Sequence, residues 1–270
     1  RALTKMERIA PRASMRVKST PIDVTGMESL AMYTGRNVVS PLTATVRLKL
    51  MNTRRNSTAR STREAKIPLH VARAVRVWGV ARALGRNVLL RAEAHDRGRS
   101  RPAYEQALLE DLEWLGLVPD LGHPAEYRAG QCEYRQSDRG DVYERELARL
   151  AGEGLVYACD CSRRRLRETA ADLPNVETPY DGRCRDRGLA LTAGRGVRVR
   201  IEPGMEPFTD LRLGDRPQDP AEQCGDLLIR DRLGHWTYQF AVTVDDWLEE
   251  VDLVVRGEDL IESTGRQLRL

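Results

Sequence analysis

A chain of 270 residues, 41% of them hydrophobic, can bury a sizeable core and has room for one or two domains. No apolar run approaches membrane-spanning length, which argues against a helical membrane protein. The five unevenly spaced Cys argue against a disulfide framework and for metal binding or free thiols in a reducing compartment. The net charge of +4 hides an asymmetry: residues 1–66 hold 14 Lys/Arg against 4 Asp/Glu, so the rest of the chain is net acidic.

Residues 1–59 are basic, rich in Ser and Thr, and show no sustained period of 2 or 3.6, so no regular structure is expected there. A transit peptide, a basic arm on RNA and sequence foreign to the folded protein are the three readings of this segment. From Val71 the apolar residues Val71, Ala74, Val75, Val77, Trp78, Ala81 and Leu84 recur at helical spacing, and Gly85 stands where a helix stops. Asn87 to Ala92 then reads as a buried strand that delivers Glu93, His95 and Asp96 at its C-terminal end, where ligands sit in an open α/β sheet. His70, at the helix start behind Pro68 and Leu69, is suited either to a phosphate or to an ordinary capping role.

Arg101 to Leu115 is a second helix, with Pro102 in its first turn and Leu108, Leu109, Leu112 and Leu115 as its buried stripe. Tyr134 to Arg139 (YRQSDR) precedes a third helix, Val142 to Ala151. Cys159 and Cys161 follow a strand-like run, and Cys184 comes later in PYDGRC. Three thiols so spaced suit three corners of a tetrahedral zinc site, or are simply ordinary thiols. Residues 185–225 suggest short strands such as Val197 to Ile201, flanked by an Arg-rich stretch that suits phosphates or a solvated face. Asp226 to Asp231 and Trp236 to Val242, around Leu233-Gly234, have the signature of a hairpin, and Val251 to Asp259 is an apolar strand ending in polar residues.

PLHVARAV followed by VLLRAEAHDR resembles the HIGH region of class I aminoacyl-tRNA synthetases, in the glutamyl branch where a strand ends RIED. Within that branch the chain is most similar to the paralogues that act on queuosine-bearing tRNA(Asp). LLEDLEWLG, YRQS, Cys-x-Cys with Tyr-x-x-x-Cys, YQ-AV and RG-D carry the likeness to Leu270; the family's KMSKS-type loop is not among these residues. The resemblance implies an α/β fold: a Rossmann-type class I aminoacyl-tRNA synthetase catalytic domain with a zinc-bearing, partly β insertion. Its first half would span residues 60–155, the insertion 156–225 and the second half 226–270, where the sheet resumes.

The implied reaction is activation of glutamate by ATP with Mg2+, then transfer of the glutamyl group to the queuosine base of tRNA(Asp). The alternatives are charging of a tRNA 3′ end and an inactive paralogue that binds glutamate, zinc or RNA. On the resemblance, His70 and Arg73 would act on the triphosphate, while Arg60, Glu93, Tyr238 and Arg256 would hold glutamate. Cys159, Cys161, Tyr180 and Cys184 would bind Zn2+, with Cys132 or His123 as substitutes for the phenol. A monomer in the cytoplasm is expected. The chain departs from the family at HVAR, where Ala72 and Arg73 replace the Gly and the second His, at Ala94, where the family has an acid, and at RSTREAKI, where the family has RFAPSPTG.

Overall fold

The computed structural model describes residues 30–34, 43–48, 69–95, 101–162, 165–166 and 179–270. Strands β1 (Leu30–Thr34) and β2 (Thr43–Leu48) are followed by α1 (Leu69–Ala83), β3 (Asn87–Ala92), α2 (Pro102–Trp114), α3 (Pro124–Arg128) and α4 (Gly140–Gly152). Then come β4 (Val156–Cys159), β5 (Gly196–Val199), β6 (Thr209–Asp210), β7 (Gly214–Asp215) and α5 (Pro220–Cys224). The chain closes with β8 (Leu227–Arg230), α6 (Tyr238–Leu248), β9 (Val251–Gly257) and α7 (Thr264–Arg269). No helix among the described residues is long and apolar enough to cross a membrane.

Two sheets organise these elements. The larger has strand order β3-β2-β9-β1-β6-β7, and β2 pairs in parallel with both β3 and β9. The smaller runs β4-β5-β8 and is antiparallel. Since β3 and β9 flank β2 and run with it, their C-terminal ends open onto one crevice, the place where α/β sheets bind ligands.

The helices form where the sequence pattern asks for them. Ala74, Val77, Trp78 and Ala81 of α1 are buried against Val88 and Leu90 of β3 and Leu253 and Val255 of β9. Gly85 takes φ 65° just past α1, a conformation that costs glycine nothing. Leu108, Leu109 and Leu112 of α2 complete this core, with Leu115 only half-buried beyond the helix end. Each side chain so buried contributes about 1.5–3 kcal/mol. A second core joins Tyr143, Leu147 and Leu150 of α4 to Val197, Val199 and Ile229 of the smaller sheet and to Phe240, Ala241 and Val244 of α6.

Four expectations are corrected. Regular structure begins before residue 60, because β1 and β2 both join the larger sheet. Strand β8 does not resume that sheet: it pairs with β5, and the return comes at β9. Within residues 185–225, β5 belongs to the smaller sheet whereas β6 pairs with β1 at the edge of the larger. Trp236 to Val242 is not a strand. Only Trp236 bridges back to Arg230, and the helix starts at Tyr238. Phe240, Ala241, Val244 and Asp245 are buried at helical spacing, so burial of that stripe overrides the β preference of Tyr, Phe and Val.

Candidate active site and metal centre

The strand β3 is buried from Val88 to Ala92, and the chain turns immediately after it, with the Ala94 N–H bonded to the Ala92 carbonyl at 2.9 Å. That turn leaves Glu93 only 6% exposed, and its Oε1 is buried with no hydrogen-bond partner among the described residues. On the other side of β2, Arg256 of β9 is also buried. Its guanidinium donates to Thr264 Oγ1 and, at 2.8 Å, to Gln267 Oε1, both on α7. Gln267 Nε2 donates in turn to Gln239 Oε1 at 2.7 Å, and Gln239 Nε2 to Ser263 Oγ at 2.9 Å. Glu258, a candidate ion-pair partner for Arg256, faces Arg212 at 3.9 Å.

Tyr238 is the first residue of α6 and is half-buried. Its ring centroid lies 6.0 Å from that of His95, two residues past Glu93. A buried carboxylate with one oxygen lacking a hydrogen-bond partner among the described residues and an anchored guanidinium thus stand at the ends of the two strands that flank β2, with the Tyr238 phenol against His95. His70 lies in the first turn of α1 by its backbone, and Arg73 is half-buried on the same helix. Arg60 and Asp96 lie outside the described residues.

A buried polar network supports this wall, and sequence reasoning assigned it no role. Arg91 of β3 is fully buried, pairing with Asp246 at 2.5 Å and Glu249 at 3.0 Å, with Asp245 at 3.6 Å. Asp245 also accepts from Tyr143 at 3.0 Å and from Gln136 Nε2 at 2.7 Å, and faces Arg139 at 2.8 Å. Burial works against the Arg91 cation, but Glu249, Asp245 and Glu93 outweigh it and its pKa is raised. Burial pushes Glu249 the other way for an acid, up to about 7, with Asp245 adding repulsion against the pull of Arg91 and Arg139. The signal was present in YRQSDR and in the Asp245-Asp246 pair, but a lone Gln or Asp in a sequence does not say that it is buried.

The second cluster sits at the end of β4. Cys159, Cys161 and Cys184 are all buried, with their sulfurs within 4.8 Å of one another. Cys161 Sγ lies 3.7 Å from Cys184 Sγ, and the Tyr180 oxygen lies 3.5 Å from Cys159 Sγ and 3.7 Å from Cys161 Sγ. A zinc tetrahedron with Zn–S of about 2.3 Å and Zn–O of about 2.0 Å has S–S edges of roughly 3.8 Å and S–O edges of roughly 3.5 Å. The donor set therefore fits Zn2+ in both chemistry and spacing. Cys132 packs instead in the core of the larger sheet, and His123 precedes α3 as its cap, so neither belongs to this cluster.

Tyr180 is held from several sides. Its oxygen accepts from the Cys184 N–H at 3.1 Å, and the Arg198 guanidinium stacks 3.6 Å above its ring. Gly225, at φ 61°, lets α5 pass so close that a Cβ there would sit 2.2 Å from the Tyr180 carbonyl oxygen. Burial raises the pKa of the phenol and moves Cys161 up to about 11. At Cys159 burial acts in the same direction, but hydrogen bonds from Tyr180 and Arg198 outweigh it and favour the thiolate. Arg183, Arg185 and Arg187 pair with Asp181, Asp226 and Asp160 at 2.5, 2.6 and 2.8 Å, so these three are engaged within the protein. A cavity of about 390 Å³, lined among others by Tyr180, Arg198, Asp226, Gln239 and Ser263, runs from Tyr180 to the Gln239–Ser263 hydrogen bond that backs Gln267.

The family model for tRNA synthetases class I (E and Q), catalytic domain, matches residues 68–270. The chain is 38% identical over 206 residues to the glutamyl-Q tRNA(Asp) synthetase of Bordetella bronchiseptica, covering 74% of this chain and 61% of that one. It is 40% identical over 208 residues to the protein of the same name from Nitratidesulfovibrio vulgaris, covering 72% and 62%. The chain thus spans about three fifths of the length of these curated relatives. In fold it is similar to a glutamate tRNA ligase from Elizabethkingia meningosepticum, with a TM-score of 0.65 at 21% identity, covering 85% of this chain and 46% of that one.

Proposed function

Because this chain belongs to the tRNA synthetases class I (E and Q), the families for glutamate and glutamine, we propose that it activates glutamate with ATP and passes the glutamyl group to the queuosine base of tRNA(Asp). One observation carries the choice of substrate. A buried cation, Arg256, and a buried carboxylate, Glu93, whose Oε1 has no hydrogen-bond partner among the described residues, lie on the two strands that flank β2. This charge pair suits the carboxylate and ammonium of an amino acid, with Arg60 left for a second carboxylate. The guanidinium can take a carboxylate through parallel hydrogen bonds and the Glu93 carboxylate an ammonium, and the Tyr238 phenol lies near His95 beyond Glu93. Arg60 would join Arg256 on the carboxylates.

In the first step the glutamate α-carboxylate attacks the α-phosphorus of ATP and pyrophosphate leaves, giving glutamyl-adenylate. His70 and Arg73, in the first turns of α1, would steady the triphosphate as its charge shifts, aided by the N–H groups of the helix end and by the Mg2+ that accompanies ATP. In the second step a hydroxyl of the queuosine base attacks the acyl carbon and AMP leaves. Cys159, Cys161, Cys184 and Tyr180 would hold Zn2+, whose contribution is structural: it ties the end of β4 to the loop that carries Tyr180 and Cys184.

The test is transfer of labelled glutamate, with ATP, to tRNA(Asp) that contains or lacks queuosine, using the gene carried to its stop codon. Label only on queuosine-bearing tRNA is the expected result. Label on both would favour a synthetase charging the 3′ end. No label, with glutamate and zinc still bound, would favour an inactive paralogue, the reading to which Ala72 and Arg73 in HVAR lend weight.

A further inference from the structure

The amide of Gln136 fixes His95, two residues after Glu93, whose Oε1 has no hydrogen-bond partner among the described residues. Gln136 is 1% exposed, and its Nε2 lies 2.7 Å from Asp245 Oδ2. That oxygen also takes the Tyr143 hydroxyl, while Arg139 faces Oδ1 of the same carboxylate; an ionised carboxylate only accepts, so the amide orientation is set: the nitrogen donates to Asp245 and Oε1 points the other way. Oε1 meets His95 Nδ1 at 3.0 Å, and since an amide oxygen only accepts, Nδ1 must carry the proton. A neutral His95 in that tautomer leaves its Nε2 lone pair free to accept.

His95 itself belongs to the wall described above. His95 follows Glu93 by two residues through the tight turn at Ala94, and its ring is 6.0 Å from the Tyr238 ring. We infer that His95, held by Gln136 as the Nδ1–H tautomer, offers Nε2 as an acceptor to the primary ammonium of the amino acid, sharing it with Glu93. This rests on the glutamate reading above and adds a second ammonium acceptor to it. Gln136 is then a positioning residue that acts through His95, and Asp245 is what keeps Gln136 from turning over. The chemistry follows from the count of donors: an ammonium carries three N–H groups, and one carboxylate oxygen satisfies only part of them.

The experiment compares L-glutamate with glutarate, which keeps the carbon chain and both carboxylates but lacks the ammonium, by isothermal titration against the zinc-loaded chain. His95→Asn keeps a donor at the Nδ1 position toward Gln136 and removes Nε2. It should weaken glutamate about tenfold or more, the loss expected for one hydrogen bond to a charged group, and leave glutarate within about twofold. His95→Gln returns an acceptor near the Nε2 position and should recover part of the glutamate affinity. Equal losses for both ligands, or full glutamate affinity in His95→Asn, would overturn the proposal while the glutamate reading stands. An unsubstituted chain that binds no glutamate would overturn that reading, and the proposal with it.

Discussion

Two buried clusters in this molecule are built from ionisable side chains, and they are finished in different ways. Beside β3 and α6 the carboxylates of Asp245, Asp246 and Glu249 converge on Arg91 and Arg139, so the protein brings its own cations to its own anions. At the end of β4 three thiols and a phenol converge, with Cys161–Cys184, Tyr180–Cys159 and Tyr180–Cys161 at tetrahedral edge lengths, Arg198 stacked on the phenol ring and Arg187 Nη1 3.6 Å from Cys184 Sγ. The first arrangement is paired in charge, although both Glu249 oxygens, Arg91 Nη1 and Arg139 Nε make no aligned hydrogen bond, and it serves as scaffold. The second is a donor set whose geometry suits an added ion. Buried polar groups alone therefore do not mark a site; the sign and hardness of what is left over do.

The sharpest way to break the first cluster is Arg91→Met. It removes a fully buried cation and leaves Asp245 and Glu249 sharing Arg139 alone, so unfolding in denaturant should show a loss of about 3–5 kcal/mol. A loss under 1 kcal/mol would mean that the network is not scaffold.

The next effect in size is the pH dependence of the same cluster. Glu249 has an ordinary value of 4.5 and is pushed up to about 7 by burial. Between those values the folded chain keeps a proton that the unfolded chain has released, so stability falls as pH rises through this window and levels off above it. The contribution is fully present below pH 4.5 and bounded at roughly 3 kcal/mol by the size of the shift. Chemical denaturation from pH 4.5 to 8 should show this slope in the parent chain and lose it in Glu249→Gln. The same slope in both chains would remove Glu249 as its source.

At the second cluster the smaller lever is Gly225→Ala. Its methyl would meet the Tyr180 carbonyl at 2.2 Å, at a φ that side chains avoid, so about 2 kcal/mol of stability should be lost. Competition with a chromogenic chelator should show weaker zinc binding in the same variant, because Tyr180 must move. Unchanged zinc affinity would detach Tyr180 from the metal. Smallest is Arg256→Lys, which keeps the charge and loses the fork: titration should show glutamate about tenfold weaker with thermal stability little changed. Equal affinity in the two chains would take Arg256 out of the substrate wall.

Much of the site could be read in the sequence because its signals are local. The stripe from Val71 to Leu84, the apolar run of β3 and the Cys-x-Cys pair each declare themselves within a few residues, and the likeness to the synthetases singled out Glu93, Tyr238 and Arg256 as candidates to hold glutamate. What escaped was of two kinds. TATVRL alternates over only six residues inside a basic, Ser/Thr-rich stretch, so β2 is too short to stand out from its surroundings. The roles of Gln136, Asp245 and β8 depend on partners far along the chain: Gln136 and Asp245 meet across 109 positions, and β8 chooses β5 over the larger sheet. Tyr238 to Leu248 shows the complementary failure, in which β-prone residues form a helix because its buried stripe has somewhere to pack.

Amino-acid activation must survive Ala72 and Arg73 in HVAR if this chain is a working synthetase. The measurement that reaches this most directly is exchange of labelled pyrophosphate into ATP, with and without each amino acid, using the gene carried to its stop codon. Exchange that requires glutamate, is not supported by glutamine or aspartate, and falls about tenfold or more in Arg256→Lys is the predicted result. No glutamate-dependent exchange in a folded, zinc-loaded protein would contradict it.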